Sequence, residues 1–275
     1  MKKKLQIFIT LMLLAAGKTG YCQAVTDTAA LINEFNKVMS FTVQPYLYYT
    51  TVTKLGANPV MNQEDTMNLM GVFYKNQTDL YYSNGQEETY LQDSLYIQIN
   101  SERKTIWISK VDMDSKDKLN VLPLSNADLQ EVFHRNFSVV KTTAANNISR
   151  LSFETKQKTS GQSIMSTVIG IEYTSNDHVP KRMDMETSMQ EPAAPELQAA
   201  LKEENINIAP LMQMIDGIQY LVRKQHVIIE FDNIDNTKAK AMQLPSWKEK
   251  LDFNKVTAEY TGKGIYSDYE VTRTF

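Results

Sequence analysis

The segment from Asn68 to Val111 reads NLMGVFYKNQTDLYYSNGQEETYLQDSLYIQINSERKTIWISKV, and its patterning decides the fold. Short runs rich in Val, Ile, Tyr and Phe cover 68–75, 79–83, 88–92, 95–99 and 105–111, separated by polar turns. Asn100-Ser-Glu-Arg-Lys104 marks the clearest hairpin. In Thr105-Ile-Trp-Ile-Ser109 the apolar residues run together, which predicts a strand covered on both faces. Consecutive strands with no long helices between them predict antiparallel pairing rather than a parallel βαβ sheet.

Outward from this block the same signals recur at 43–55, 139–143, 148–156, 164–174, 181–189 and 220–231, and at the closing 253–261 and 265–275. Along 181–189, Met183, Met185 and Met189 alternate with polar residues, the period of a sheet with one wet face. Helices are few. Residues 27–40 place Leu31, Phe35 and Val38 at helical spacing behind a cap at Thr26 or Asp27. Ser125–His134 carries a capping-box-like Ser125/Asp128 pair, Glu196–Glu204 reads as a brief helix, and Ser246–Leu251 as one turn. Residues 206–216 fit neither pattern well. The expected fold is α+β: a curved antiparallel β-sheet, half-open and barrel-like, with a few packed helices. Residues 25–275 are expected to form a single β-rich domain, with a weak boundary near 192–195 as the alternative.

The 275-residue chain is 42% hydrophobic and 22% charged, too apolar for disorder. Its first residues are Met1-Lys-Lys-Lys4, an apolar run from Leu5 to Ala16, and a small polar end through Ala24, the form of a secretory signal peptide. The apolar run is shorter than the roughly 20 residues a membrane span needs. Removing 1–24 takes away four lysines, leaving 25 basic against 32 acidic residues and a mature net charge of −7. That balance excludes a general nucleic-acid binder, and no second apolar run approaches transmembrane length. Cys22, the single cysteine, lies at the processing site. Tyr21 breaks the small-residue pattern of lipidated cysteines, so Cys22 is expected to leave with the leader, a lipid anchor there being the alternative. An exported protein of the periplasm or outer envelope is the expectation.

Catalytic and metal signatures fail on spacing. His134, His178 and His226 are scattered. Asp112–Asp117 lacks the fifth-position oxygen and sixth-position Gly of a calcium loop. Ser101-Glu-Arg-Lys104 and Ser138-Val-Val-Lys141 match Ser-x-x-Lys, but neither serine opens a helix. Paired carboxylates at Glu87-Glu88, Glu203-Glu204 and Asp232/Asp235 read as surface charge, because adjacent acids on a strand point to opposite faces. A non-enzymatic protein without catalytic residues, metal or cofactor is expected.

The distinctive chemistry is aromatic and methionine-rich, and an ordinary core accounts for much of it. As a surface lining it nominates Tyr46, Tyr48, Met70, Phe73, Tyr81 and Trp107 for an apolar ligand. Over residues 28–111 the order of elements resembles the opening of LolA/LolB-type lipoprotein carriers. The matching pieces are Met70-Gly-Val-Phe-Tyr74, Leu80-Tyr-Tyr-Ser-Asn-Gly85 and Lys104-Thr-Ile-Trp-Ile108. That resemblance implies a half-open antiparallel barrel around an apolar cavity, with lipid, a lipoprotein segment or other envelope proteins as partners. A carrier should show an open apolar cavity on the order of several hundred Å3; a structural subunit of an envelope complex should not.

Overall fold

The computed structural model describes residues 28–60, 65–111, 135–143, 147–156, 164–215 and 217–274. The expected leader, Cys22, the 112–117 loop and the expected helix 125–134 with His134 lie outside them. The described residues fall into two compact units: one takes in 28–38, 53–60, 65–68, 135–143, 147–156, 164–215 and 217–230, the other 39–52, 69–111 and 231–274.

In the first unit, helix α1 (Thr28–Met39) forms where its spacing predicts. Leu31, Ile32, Phe35 and Val38 are buried, and Phe35 meets Phe153 edge-on at 5.3 Å between ring centres. Its partner is a sheet built from the second half of β1 (Tyr46–Asn58), β7 (Phe137–Thr143), β8 (Ile148–Thr155), β9 (Ile164–Thr174), β10 (Pro180–Pro192) and β12 (Ile218–Asp235). The hydrogen-bonded order is β1-β12-β10-β9-β8-β7, and β11 (Met212–Ile215) pairs with β12. Alternation along β8, β9 and β10 turns Leu151, Phe153, Ile169, Ile171, Tyr173 and Met183 into the core. The opposite face carries Arg150, which donates to Asp184 at 2.7 Å and Glu172 at 2.9 Å. Gly170 makes room for that fork, since a Cβ there would lie 2.0 Å from the Arg150 Nη2. Glu34, on α1, accepts from Lys141 at 2.6 Å and from the Tyr173 hydroxyl. Burial raises its pKa, but these two hydrogen bonds outweigh burial and hold the carboxyl below its ordinary range.

In the second unit the order is β15-β6-β5-β4-β3-β2-β1, with the end of β12 beside β1. Its strands are β2 (Asn68–Asn76), β3 (Asp79–Ser83), β4 (Glu87–Gln92), β5 (Leu95–Asn100), β6 (Thr105–Lys110) and β15 (Glu270–Arg273). Between β12 and β15 the chain packs a cap onto one face. The cap consists of α3 (Lys238–Ala241), a 3-10 turn at Trp247–Glu249, the hairpin β13 (Leu251–Asn254) to β14 (Glu259–Gly262), and a 3-10 turn at Gly264–Tyr266. Helix α2 (Pro195–Glu203) belongs to the first unit and starts on Pro195, whose missing N–H suits a first helical position.

The α+β class and the open, largely antiparallel sheet are as the patterning predicts; in neither unit do the outermost strands pair with each other. Four details differ. Strand β10 continues to Pro192, opposite Tyr220, past the expected end at 189. The expected strand 253–261 is a hairpin turning at 255–258, where Asn254 Oδ1 accepts from the Val256 amide at 2.9 Å. The expected strand 265–275 is a 3-10 turn followed by only four strand residues. That last strand runs parallel to β6, pairing Glu270 with Thr105 and Arg273 with Ile108. The cap is the reason: it carries the chain across the sheet face, and the returning strand enters in the same direction as β6.

Phe35→Ala should lower the stability to urea unfolding by about 3–5 kcal/mol, because it opens a cavity beside Phe153 that neighbouring side chains fill only in part.

Candidate functional site

Period-two alternation gives the second unit's sheet two chemically different faces. The first face holds Tyr48, Tyr74, Tyr81 and Tyr90, whose rings follow one another at 4.7, 6.2 and 4.9 Å. Ile97, Ile99, Ile106 and Ile108 continue it across β5 and β6, all 0% exposed. The cap covers this face with Trp247, Leu251 and Tyr266.

Glu88 lies in that contact. Its Oε2 accepts from the Tyr90 hydroxyl at 2.5 Å and the Tyr81 hydroxyl at 3.2 Å, and its Oε1 from the Tyr266 hydroxyl at 3.0 Å. The Lys250 Nζ stands 3.5 Å from the same carboxylate and donates to the Tyr266 oxygen at 2.8 Å. Burial, then the Glu88 charge, pushes the Tyr81 phenol up to about 12. Burial and the bond to Glu88 push Tyr90 higher still. Burial alone would lower the Lys250 ammonium, but Tyr266 and Glu88 outweigh it and hold it raised. The cluster is saturated by its own members and ties cap to sheet.

The second face presents Tyr49, Phe73, Tyr82, Tyr96 and Trp107, all half-buried. Tyr49 stacks on Phe73 at 4.8 Å, with Phe41 and Phe231 edge-on to Tyr49 at 5.8 and 5.7 Å. Tyr96 meets Trp107 edge-on at 5.6 Å. Strand register aligns Phe73, Tyr82, Thr89, Gln98 and Trp107 in one row across β2 to β6, roughly 19 Å at the usual strand spacing. Desolvation raises the phenol pKa of Tyr49, Tyr82 and Tyr96 above the ordinary value. Gly71 sustains the close approach of β1 and β2 here, since a Cβ would fall 2.3 Å from the Thr51 hydroxyl.

The six residues nominated from the sequence divide between these faces. Tyr81 is buried under the cap, and Tyr48 lies on the same face with the Lys240 ammonium 4.3 Å from its ring centre. Tyr46 shares their parity and accepts from Gln77 at 3.3 Å. Met70 shares it too and is 78% exposed. Phe73 and Trp107 stand on the second face, with Tyr49, Tyr82 and Tyr96, which were not nominated. Parity with Phe73 and Trp107 was the signal that would have found these three. In the first unit, a shallow dimple lies over Ile169, Met183, Asp184, Met185, Val227 and Ile229; it encloses no room even for a water molecule and is not the chamber expected of a carrier.

His178 stacks on Tyr173, and His226 stands opposite Glu186. Among the described residues no group of three His, Cys, Asp or Glu is placed to hold a metal ion, and no helix is long and apolar enough to cross a membrane.

No family model matches the chain, and no curated protein matches it. Among solved structures it is similar to a DUF1329 family protein from Desulfovibrio piger at 11% identity, over 84% of this chain and 99% of that one, with a TM-score of 0.28. It is also similar to a LolA superfamily protein from Nitrosomonas europaea at 7% identity, over 75% of this chain and 93% of that one, with a TM-score of 0.22. No residue role is carried over from either protein.

The raised phenols bear on alkaline stability. The unfolded chain releases its tyrosine protons near pH 10, while folded Tyr81 keeps its proton to about 12. Its contribution is therefore complete below pH 10 and is lost as pH climbs from 10 to 12. Urea midpoints should fall steeply across that window, and absorbance at 295 nm should show a late-titrating tyrosine that Tyr81→Phe removes.

Proposed function

We propose that the protein is a non-enzymatic binding module for an apolar ligand of the lipid class, acting in the cell envelope after export. The carrying observation is the set of half-buried aromatic side chains Phe73, Tyr82 and Trp107, which share one row on the face of the second unit's sheet opposite the cap. Aromatic rings offer large apolar area at small conformational cost, and their hydroxyl tips stay satisfied at the edge of such a surface. Half-buried rings still gain by covering, whereas Tyr81 and Tyr90 on the capped face have little left to gain. A lipid or a lipoprotein acyl segment lying across the strands would cover the whole row.

The rival reading, a structural or interaction subunit of an envelope complex, draws on the cap surface, where Val256 is 94% and Ile265 79% exposed.

The neutral fluorophore 1-N-phenylnaphthylamine tests the preferred reading. Wild-type protein should enhance its emission, and Trp107→Ala should weaken the apparent affinity by about tenfold while the urea midpoint changes little. Met242→Ala, on the exposed cap surface, should bind as wild type does. No enhancement by the wild-type protein would sink the proposal.

A further inference from the structure

The aromatic face carries one feature that a purely apolar ligand leaves unanswered. Lys75 lies two residues beyond Phe73 on β2, so its side chain leaves the same face. Strand register puts it beside Leu80, Leu91 and Tyr96, in the row next to Phe73, Tyr82 and Trp107. Its ammonium donates to the Thr42 carbonyl oxygen at 3.1 Å. An ammonium has three N–H donors, and no carboxylate among the described residues forms an ion pair with this one. Lys54, Lys104, Lys141, Lys224, Lys248, Lys250 and Lys263 each have an acidic partner within 3.5 Å. The nearest acid by position on the same face, Glu87, stands two rows away and already accepts from Asn100 at 3.0 Å. Burial holds the Lys75 ammonium below the ordinary lysine range, the mark of a charge short of compensation.

A half-buried cation without a counter-ion is a cost in the free protein that an anion can remove. We propose that Lys75 receives the carboxylate of a single-chain amphiphile whose apolar tail lies over Leu80, Tyr96 and the Phe73–Trp107 row, as in a long-chain fatty acid. This rests on the reading of that face as an apolar-ligand site. A carboxylate suits the position better than a phosphodiester: it is compact and singly charged, and it fits beside the Thr42 carbonyl without bringing a glycerol group onto half-buried backbone. The geometry divides the work. The aromatic row supplies most of the affinity, and Lys75 supplies polarity and direction, so that the tail runs from β2 toward β6.

Displacement of 1-N-phenylnaphthylamine from the full chain by oleate and by oleyl alcohol, which differ at the head group, separates the two contributions. Wild type should prefer oleate by about tenfold, the worth of one charge-assisted pair. Lys75→Met should lose that preference and keep its response to oleyl alcohol, and Lys75→Arg should retain it. Removing a desolvated charge should leave the urea midpoint of Lys75→Met at or above that of wild type. Equal displacement by the two ligands in wild type overturns the assignment of Lys75, as does an oleate preference that survives in Lys75→Met. If neither ligand displaces bound probe, the apolar-ligand reading fails and this assignment falls with it. The wild-type comparison needs no variant to fold.

Discussion

The Glu88 carboxylate takes hydrogen bonds from Tyr81, Tyr90 and Tyr266 and faces the Lys250 ammonium, in a contact from which water is largely excluded. A lone carboxylate could not be held there, and neither could three phenols with no acceptor between them. Sheet and cap are therefore bound to each other by polar complementarity as well as by Trp247, Leu251 and the isoleucines of β5 and β6. Where the cap sits settles which side of the second unit's sheet is closed. It also sets the direction of the last strand, which returns from the cap parallel to β6.

Closing one face gives the other its interest. On one face Tyr81 and Tyr90 are buried under the cap, while Tyr49, Tyr82 and Tyr96 on the other are half-buried, as are Tyr48 and Tyr74 at the margin of the first. Tyr81 and Tyr82 are adjacent in sequence and point to opposite faces: Tyr81 lies under the cap with its hydroxyl on Glu88, while Tyr82 is half-buried in the row of Phe73 and Trp107. Lys75 and Tyr74 differ in the same way. The ring of Tyr74 packs between Tyr48 and Tyr81, and the half-buried Lys75 leaves the opposite face, its ammonium on a backbone carbonyl.

Much of the fold was legible in the chain. The helix at 28–39 announced itself through Leu31, Phe35 and Val38, and the hairpins from β2 to β6 through their turns and alternation. Local periodicity carries those signals, and burial of one stripe or one face enforces them. The closing segment was less legible because its elements are short and held by contacts far away in sequence. Val256 ends a hairpin because Leu251 and Tyr260 pack on the sheet, and residues 270–273 form a strand because β6 offers an edge. The candidate lining was half legible. Aromatic density pointed to the strands of the second unit, but Tyr at both parities of β1 and β3 left the face undetermined.

By itself the sequence determined the class of fold, the helix that covers the first unit's core, the run of strands from β2 to β6 and the slightly acidic balance of the chain. Turn chemistry and side-chain period are local properties, which is why they could be read there. Only the tertiary structure decided which aromatics are buried under the cap and which are half-buried, which carboxylate three tyrosines share, and that the Lys75 ammonium meets a backbone carbonyl. Contacts distant in sequence decide these, as Tyr266 is brought to Glu88 across 178 positions and Lys75 to the Thr42 carbonyl across 33, and no local pattern encodes which of two faces a distant segment will cover.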